Sequence, residues 1–235
     1  MTVCSSMLVM LLACIVLVHN GIAHAAWFQP KKPSLKPSSS LLVQQNKQTF
    51  FAAIANVAAV DSQFNQQYVE QALATCVTSN PTATPCAPAV FKEFAQGKWR
   101  VCYAPHIRIL EKVTLTSYDV YYEFPTPDTM VSYVRYQSPL FRSGWLNTAG
   151  RVESVSDNVC RVVWEQIWWD WNEESEGPSK ASETEKHVLP RLIQALGEKG
   201  FAEGVSRFPV LFLDSDLCVF QFQLIGTKIC ATRQQ

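Results

Sequence analysis

Three titratable residues near the middle of the chain define one candidate for chemistry. His106 follows the first strand-like segment, and Asp119 and Glu123 occupy the polar face of the next one. A histidine and a carboxylate that meet in space form a general acid and base, which would suit a lipid isomerase or hydrolase. A solvent-exposed loop position is nevertheless the ordinary outcome for His106. The chain has no G-x-S-x-G motif, phosphate-binding loop or dinucleotide glycine pattern, so we predict no catalytic residue.

Aromatic residues at alternating positions define a second candidate, the binding of an apolar molecule. Tyrosine and tryptophan combine a large apolar face with one polar group, so they can enclose a ligand and orient its polar end. Plain core packing is the alternative role for each of them. The predicted ligand-binding residues are Tyr103, Tyr118, Tyr122, Tyr136, Trp164 and Phe220.

The two ends of the strand-rich region suggest how such a site is closed. Gly97 precedes Trp99, which opens an alternating apolar run, and the final strand-like run ends at Arg233. A tryptophan at the floor of a small antiparallel barrel, with an arginine over its face, seals one end and leaves the other open for an apolar ligand. We therefore predict that Trp99 and Arg233 form a barrel floor.

The elements that position these residues begin with a helical segment, residues 41–96. Apolar residues at helical spacing predict a helix over 41–60, and Asp61-Ser62 can cap a second helix. A loop with Pro81, Pro85 and Pro88 follows, and a short helix from Pro88 leads to the first strand. We expect these helices to pack on, or plug, one end of the barrel.

From residue 97 to 235 the apolar period is two, which predicts short antiparallel strands in a sandwich or barrel. Residues 159–171 are apolar on both faces, so one face must contact something other than the barrel interior. The candidates are the N-terminal helices, the helix predicted at 183–196, a partner and a lipid surface. An amphipathic helix is predicted at 183–196, before the last strands. Asp214 and Asp216 lie in the turn of the final hairpin, where turn formation is favoured over catalysis.

Composition excludes several classes of protein. The 235 residues carry no net charge, and 48% of them are hydrophobic. The balanced charge argues against a nucleic-acid partner, and no Cys or His spacing suggests a metal site. No cofactor is expected, and the oligomeric state is left open. Cys76 and Cys86 can close the Pro-rich loop as a disulfide, but buried free thiols are favoured for these and for Cys102, Cys160, Cys218 and Cys230.

The N-terminus is predicted to direct transport. Residues 7–18 form an apolar run of the length found in signal peptides, and small residues follow at Ala23, Ala25 and Ala26. Residues 27–40 are basic, serine-rich and free of acidic residues, as in transit peptides. A signal peptide (1–26) followed by a transit-like segment (27–40) resembles the presequence of algae with secondary plastids. The alternative is a secreted protein with an unstructured mature N-terminus.

Two motifs carry a family resemblance. Gly-Lys-Trp-Arg-Val-Cys-Tyr at 97–103 resembles the G-x-W-x-L-x-Y opening of the plastid lipid-associated proteins, or plastid fibrillins. Phe-Leu-Asp-Ser-Asp-Leu at 212–217 resembles their Y-L-D-x-D-L hairpin, although the sequence departs from the family after Leu217. The resemblance covers about residues 41–235. It implies a lipocalin-like barrel that associates with plastid membranes or lipid globules.

The predicted fold is therefore a mainly β, lipocalin-like antiparallel barrel with N-terminal helices and one helix before the last strands. The predicted function is non-catalytic binding or carriage of an apolar small molecule, namely a lipid, a carotenoid or a prenyl quinone. A membrane or lipid-globule surface is the further candidate partner. The alternatives are a lipid-modifying enzyme that uses the same cavity and a secreted lipocalin-like carrier.

Overall fold

The described chain is mainly β. The computed structural model describes residues 40–59, 63–139, 143–171, 206–223 and 225–234. The predicted signal peptide, the transit-like segment up to residue 39 and the predicted helix at 183–196 lie outside these ranges. The strands are β1 (Gly97–Tyr103), β2 (Ser117–Thr126), β3 (Thr129–Gln137), β4 (Gly144–Ser156), β5 (Val159–Asp170), β6 (Arg207–Leu213), β7 (Leu217–Phe222) and β8 (Thr227–Arg233).

The strands form one closed antiparallel sheet, which we call the barrel. Each strand pairs with the next along the chain, and β8 pairs back with β1. The alternation of apolar and polar residues explains this arrangement, because successive side chains of a strand point to opposite faces. The predicted mainly β, antiparallel architecture is confirmed.

Four helices accompany the barrel in the described ranges: α1 (Ser40–Ala59), α2 (Gln63–Thr78), α3 (Pro88–Ala95) and α4 (Pro105–Thr114). The first three confirm the helices expected from the sequence. Both α3 and α4 begin at a proline, which has no N–H group to leave unsatisfied in the first turn.

Helices α1 and α2 pack on the outer wall of the barrel and do not plug its end. Phe50 of α1 and Leu73 of α2 are fully buried against Phe212 of β6 and Val219 of β7. Phe212 and Val219 are directly paired across two strands, so they share the outer face. This second hydrophobic layer, which we call the outer core, lets the wall formed by β6, β7, β8 and β1 be apolar on both sides.

Strand β5 is aromatic on both faces, as the sequence predicted. Trp164 pairs with Gly150 and faces inward, whereas Trp168 pairs with Asn147 and faces outward. Trp168 and Asn147 are nonetheless buried. Helices α1 and α2 pack on the wall formed by β6, β7, β8 and β1. They therefore do not cover the outer face of β5 at Trp168, which was one of the contacts expected from the sequence.

A buried lysine joins the outer core to the final hairpin. Lys47 of α1 is 2% exposed, and its Nζ donates to Asp214 Oδ2 at 2.8 Å and to Asp216 Oδ1. Burial alone lowers the pKa of Lys47, but the hydrogen bonds to the two carboxylates raise it above the ordinary value. Asp214 Oδ1 also accepts the backbone N–H groups of Asp216 and Leu217, which confirms the predicted turn role.

We predict that Lys47→Met destabilises the protein by about 3 kcal/mol, because the substitution leaves Asp214 buried without its counter-charge. The free energy of unfolding from urea denaturation measures this loss. Lys92→Met is the matched control, since Lys92 is exposed on α3, and its effect should stay within about 0.5 kcal/mol. Equal effects for the two variants would show that the ion pair does not hold α1 to the hairpin.

Candidate functional site

The inner face of the barrel is defined by its strand register. Trp99 of β1 pairs with Tyr122 of β2 and with Arg233 of β8. Directly paired residues lie on the same face of a sheet, so these three side chains share the interior. They belong with a buried group that we call the inner cluster: Cys86, Trp99, Cys160, Val210, Leu213 and Ala231, with partly buried Phe91, Phe94, Val101, Tyr122, Phe124, Val152, Phe208, Cys218 and Phe220.

Arg233, Trp99 and the end of α3 are in contact at one end of the barrel. The guanidinium carbon of Arg233 lies 4.8 Å from the centroid of the Trp99 ring. Arg233 Nη1 donates to the carbonyl of Gln96 at 2.8 Å and Nη2 to that of Phe94, at the end of α3 where helix carbonyls lack partners. Trp99 Nε1 donates to the carbonyl of Ala95 at 2.7 Å. Trp99 and Arg233, the two residues predicted to form the floor, therefore contact each other and both donate to carbonyls at the end of α3.

Gly97 is required at this floor by its backbone conformation. Its φ is +114°, a region that L side chains rarely adopt, and a Cβ there would approach Arg233 Nη1 to 3.4 Å. The glycine therefore allows the chain to turn from α3 into β1 and bring Trp99 beneath the guanidinium group.

The wall above the floor is aromatic. Tyr122 meets Phe220 edge-on at a ring distance of 5.6 Å, and Phe220 meets Phe208 at 5.8 Å. Phe208 in turn stacks on Phe222 at 6.4 Å. These side chains face the inside of a closed sheet, yet all four retain accessible surface. The rings therefore do not fill the space they line, and they offer an apolar surface to a guest molecule.

The hydroxyl group of Tyr122 is the polar feature of this wall. Burial raises the pKa of Tyr122, so the phenol stays protonated and can donate or accept a hydrogen bond. Within the described ranges no hydrogen-bond partner for this hydroxyl is found. A ligand carbonyl or hydroxyl that reached Tyr122 would satisfy it.

Helix α4 lies at the opposite end of the barrel, directly after the last residue of β1. His106 Nδ1 is 3.0 Å from Thr227 Oγ1, and its ring lies 5.8 Å from that of Phe222. Burial lowers the pKa of His106 to about 4, so the imidazole is neutral near pH 7. The expectation of a solvent-exposed loop position was wrong, because His106 is in the first turn of α4 and packs against β7 and β8.

Tyr103 was predicted to line the ligand site, but its side chain does not face the interior, so this prediction is wrong. The pairing of β1 with β8 shifts register between Val101 and Tyr103, so Cys102 is an extra residue. Such a bulge turns the following side chain to the other face. Tyr103 belongs to the outer core, where its ring meets Phe50 at 6.3 Å and its hydroxyl donates to Glu70 at 2.7 Å.

The remaining predicted residues face inward. Tyr118 and Tyr136 pair directly across β2 and β3, near the end covered by α4. The Tyr118 hydroxyl lies 3.3 Å from Thr114 Oγ1. The ring of Tyr136 meets that of Trp171 edge-on, with 6.5 Å between the ring centroids. Trp164 lies opposite Gly150, which has no side chain to compete for the interior. Tyr122 and Phe220 are thus brought into contact, whereas Tyr118, Tyr136 and Trp164 occupy other parts of the same interior.

The candidate acid and base residues have separate partners. Asp119 forms an ion pair with Arg100 at 2.7 Å, and Glu123 accepts a hydrogen bond from Tyr133 at 2.9 Å. Both contacts lie on the outer face of the sheet: Asp119 reaches across to β1, and Glu123 reaches across to β3. His106 instead bonds Thr227 at the barrel end. The described geometry does not assemble the three into one site.

The six cysteines of the barrel region and its preceding helices are free thiols, and Cys76 is not joined to Cys86. The neighbouring Cys160 thiol and burial raise the pKa of Cys86. Burial likewise raises the pKa of Cys76 to about 12. Protonated thiols in these positions act as small apolar groups. The described ranges contain no group of three or more His, Cys, Asp or Glu residues arranged to hold a metal ion.

Sequence reasoning missed Lys47, Phe208 and Phe222. Lys47 is the one charged residue of α1, and a lone cation on an otherwise uncharged helix was a usable signal for a buried ion pair. Phe222 alternates with Phe220 at the strand period, so it could also have been assigned to the inner face. Phe208 required the β6–β7 register, which shifts between Val210 and Phe212.

No protein-family model matches the chain, and no curated protein matches it. Among the described helices, none has the length and apolar character needed to cross a membrane.

The depressed pKa of His106 predicts a pH-dependent stability. The folded state holds the imidazole neutral down to about pH 4, whereas the unfolded chain protonates it near pH 6.5. The stability of the fold with a neutral, buried His106 is therefore fully present above pH 6.5, and it is lost as the pH falls toward 4, because the unfolded chain then binds a proton that the folded chain does not. Urea denaturation across this range should show wild type losing on the order of 1–3 kcal/mol more than His106→Gln. Parallel pH profiles would mean that His106 is solvated in the folded protein.

Proposed function

We propose that the protein binds and carries apolar small molecules inside a lipocalin-like barrel, without catalysis. One observation carries the proposal: an inward-facing aromatic wall keeps accessible surface and includes a Tyr122 hydroxyl with no partner in the described ranges. A protein interior of this kind favours a guest that is apolar along its length and polar at one point.

The forces available match that type of ligand. Apolar surface removed from water contributes roughly 25 cal/mol per Å², and Phe208, Phe220 and Phe222 supply such surface. A hydrogen bond to Tyr122 adds orientation, because an unmatched polar group in the interior would carry a desolvation cost. Arg100, Asp119 and Glu123, by contrast, make their contacts on the outer face of the sheet. These charges therefore do not face the aromatic wall.

Lipids, prenyl quinones and those carotenoids that carry oxygen fit these requirements, since each combines a long hydrocarbon region with a carbonyl, hydroxyl or ester group. We place the activity at plastid membranes or lipid globules. This part of the proposal is supported by the resemblance of residues 97–103 and 212–217 to plastid fibrillins and by the predicted presequence. A secreted carrier with the same barrel is the alternative location.

An enzyme that uses the same cavity receives less support. Such chemistry would need His106 beside Asp119 or Glu123. Asp119 is paired with Arg100, and Glu123 with Tyr133, while His106 bonds Thr227. We therefore assign no catalytic residue.

The test is ligand capture followed by identification. The folded protein is exposed to an extract of plastid lipids and pigments and re-purified, and bound molecules are identified by mass spectrometry. We expect one class of prenyl lipid, carotenoid or acyl lipid at a fixed ratio to protein. Phe220→Ala should lower that ratio by removing apolar contacts from the wall. Recovery of no molecule would contradict the proposal, and recovery of chemically altered lipid would favour an enzyme.

Two neighbouring tyrosines provide a matched pair of variants. Tyr122→Phe removes the inward hydroxyl and should weaken retention of the captured ligand by about threefold to tenfold, the effect of one lost hydrogen bond. Tyr121→Phe makes the same chemical change on the outer face, where Lys98 and Arg100 lie over the ring, and should leave retention unchanged. If both variants retain ligand like wild type, Tyr122 does not contact it.

A further inference from the structure

Three side chains with hydroxyl groups form a row across neighbouring strands on the inner face of the barrel. Tyr122 of β2 pairs with Ser132 of β3, and Ser132 pairs with Thr148 of β4. Directly paired residues lie on the same face of a sheet, so Ser132 and Thr148 share the interior with Tyr122. Adjacent strands are about 4.8 Å apart, so one ligand atom can contact two neighbouring hydroxyl groups. We call these three residues the hydroxyl row.

The packing of the fold does not use the polar groups of the hydroxyl row. Ser132 is 8% exposed. Within the ranges that the structure describes, the hydroxyl groups of Ser132 and Thr148, like that of Tyr122, form no hydrogen bond with another residue. Buried polar groups are nearly always hydrogen-bonded, because a missing bond costs about 1–3 kcal/mol. Three such groups at one level of the interior therefore leave a place for a polar atom of a ligand.

An indole N–H adds a further donor on the same side of the interior. Trp169 of β5 lies two residues beyond Ile167, which pairs with Thr148. Trp169 therefore faces inward, one step nearer the end covered by α4. Its Nε1 is buried and has no hydrogen-bond partner among the described residues. Because an indole N–H donates and cannot accept, this group requires an acceptor.

The inner face around the hydroxyl row carries almost no charge. Among the residues of β1 to β8, the register places one charged side chain on the inner face, that of Arg233. Its two Nη atoms donate to backbone carbonyls at the end of α3, and its guanidinium group covers Trp99. Taking an ionised carboxylate out of water without a counter-charge costs several kcal/mol. The hydroxyl row therefore suits an uncharged acceptor better than a carboxylate.

We propose that the hydroxyl row and Trp169 bind the carbonyl oxygen of an uncharged ligand, so that the barrel selects ketones, quinones and esters over free fatty acids and plain hydrocarbons. A carbonyl oxygen accepts two hydrogen bonds, which two hydroxyl groups, or one hydroxyl and the Trp169 N–H, supply. Tyr122 also contacts Phe220, so the hydrocarbon part of such a ligand can lie against the aromatic wall. This selection rests on the proposed function, because it names the class of molecule that the same barrel would take.

Three probes of matched chain length test the selection: hexadecane, methyl palmitate, and palmitate at about pH 8, where its carboxyl group is ionised. The full chain receives each probe from methyl-β-cyclodextrin, and the amount that remains bound after gel filtration is measured by mass spectrometry. Wild type should retain methyl palmitate best. Ser132→Ala should weaken retention of methyl palmitate about threefold to tenfold, the effect of one lost hydrogen bond, and should leave retention of hexadecane unchanged.

Infrared spectroscopy separates hydrogen bonding from a change in packing. Methyl palmitate labelled with carbon-13 at the carbonyl should show a stretching band at lower frequency in the protein than in hexane, because hydrogen bonds weaken the carbonyl bond. The band should move back toward its position in hexane in Thr148→Val, which keeps the shape of the side chain, and in Trp169→Phe. Ser117→Ala is the matched control, since Ser117 is exposed on the outer face of β2, and both its band and its retention should equal those of wild type.

The outcomes distinguish this site from the proposed function. Equal retention of hexadecane and methyl palmitate, or a carbonyl band that the variants of the hydroxyl row leave unchanged, would overturn the carbonyl site while the barrel remained a binder of apolar molecules. Tighter retention of palmitate than of methyl palmitate would also overturn it, because a cation would then bind the head group. Retention of none of the three probes, with no molecule captured from the lipid and pigment extract, would reject the proposed function and the carbonyl site together.

Discussion

Closure of the sheet through the β1–β8 pair is the constraint on which the other features depend. Because the ring is closed, Trp99 is paired on both sides, with Tyr122 in β2 and Arg233 in β8. One residue thereby belongs both to the floor and to the wall. The same pairing carries the last strand to the end of α3, where Arg233 satisfies two carbonyls. Closure also removes exposed strand edges, which would otherwise need protection.

Part of the outer face of this closed sheet is also apolar and is buried by helices. On the wall made by β6, β7, β8 and β1, the outer core under α1 and α2 buries apolar side chains as completely as the inner cluster does. Lys47 reaches through this layer to the β6–β7 turn, so the helices and the hairpin are held by a charge pair as well as by apolar contact. Phe208 and Phe220 lie on the inner side of the same hairpin.

The two ends of the barrel differ in chemistry. At the floor, Arg233 and Trp99 bind the carbonyls of α3, and the Pro-rich loop attaches to the β4–β5 hairpin through Cys86 and Ser154. At the other end, α4 is attached through His106 and Glu111 and buries none of its residues. A firmly bonded floor and a lightly attached opposite end are what a binding barrel requires if ligand enters from one side.

The sequence by itself determined the mainly β architecture and the first three helices, and it named Trp99 and Arg233, which the structure brings into contact. Strand period and helix period are local properties, and Trp99 and Arg233 stand at the two ends of the strand-rich region that must meet if the sheet closes. The inward direction of Tyr122 and Phe220 followed from the same alternation.

Only the tertiary structure decided where that alternation breaks. The extra residue at Cys102 moves Tyr103 to the outer core, and nothing in the local pattern announces it. The partners of Lys47 lie 167 and 169 residues away, and those of His106, Asp119 and Glu123 depend on which strands become neighbours. Sequence fixes which faces can be apolar because that property repeats every two or four residues. Contacts between distant side chains depend on register and on closure, which no short segment contains.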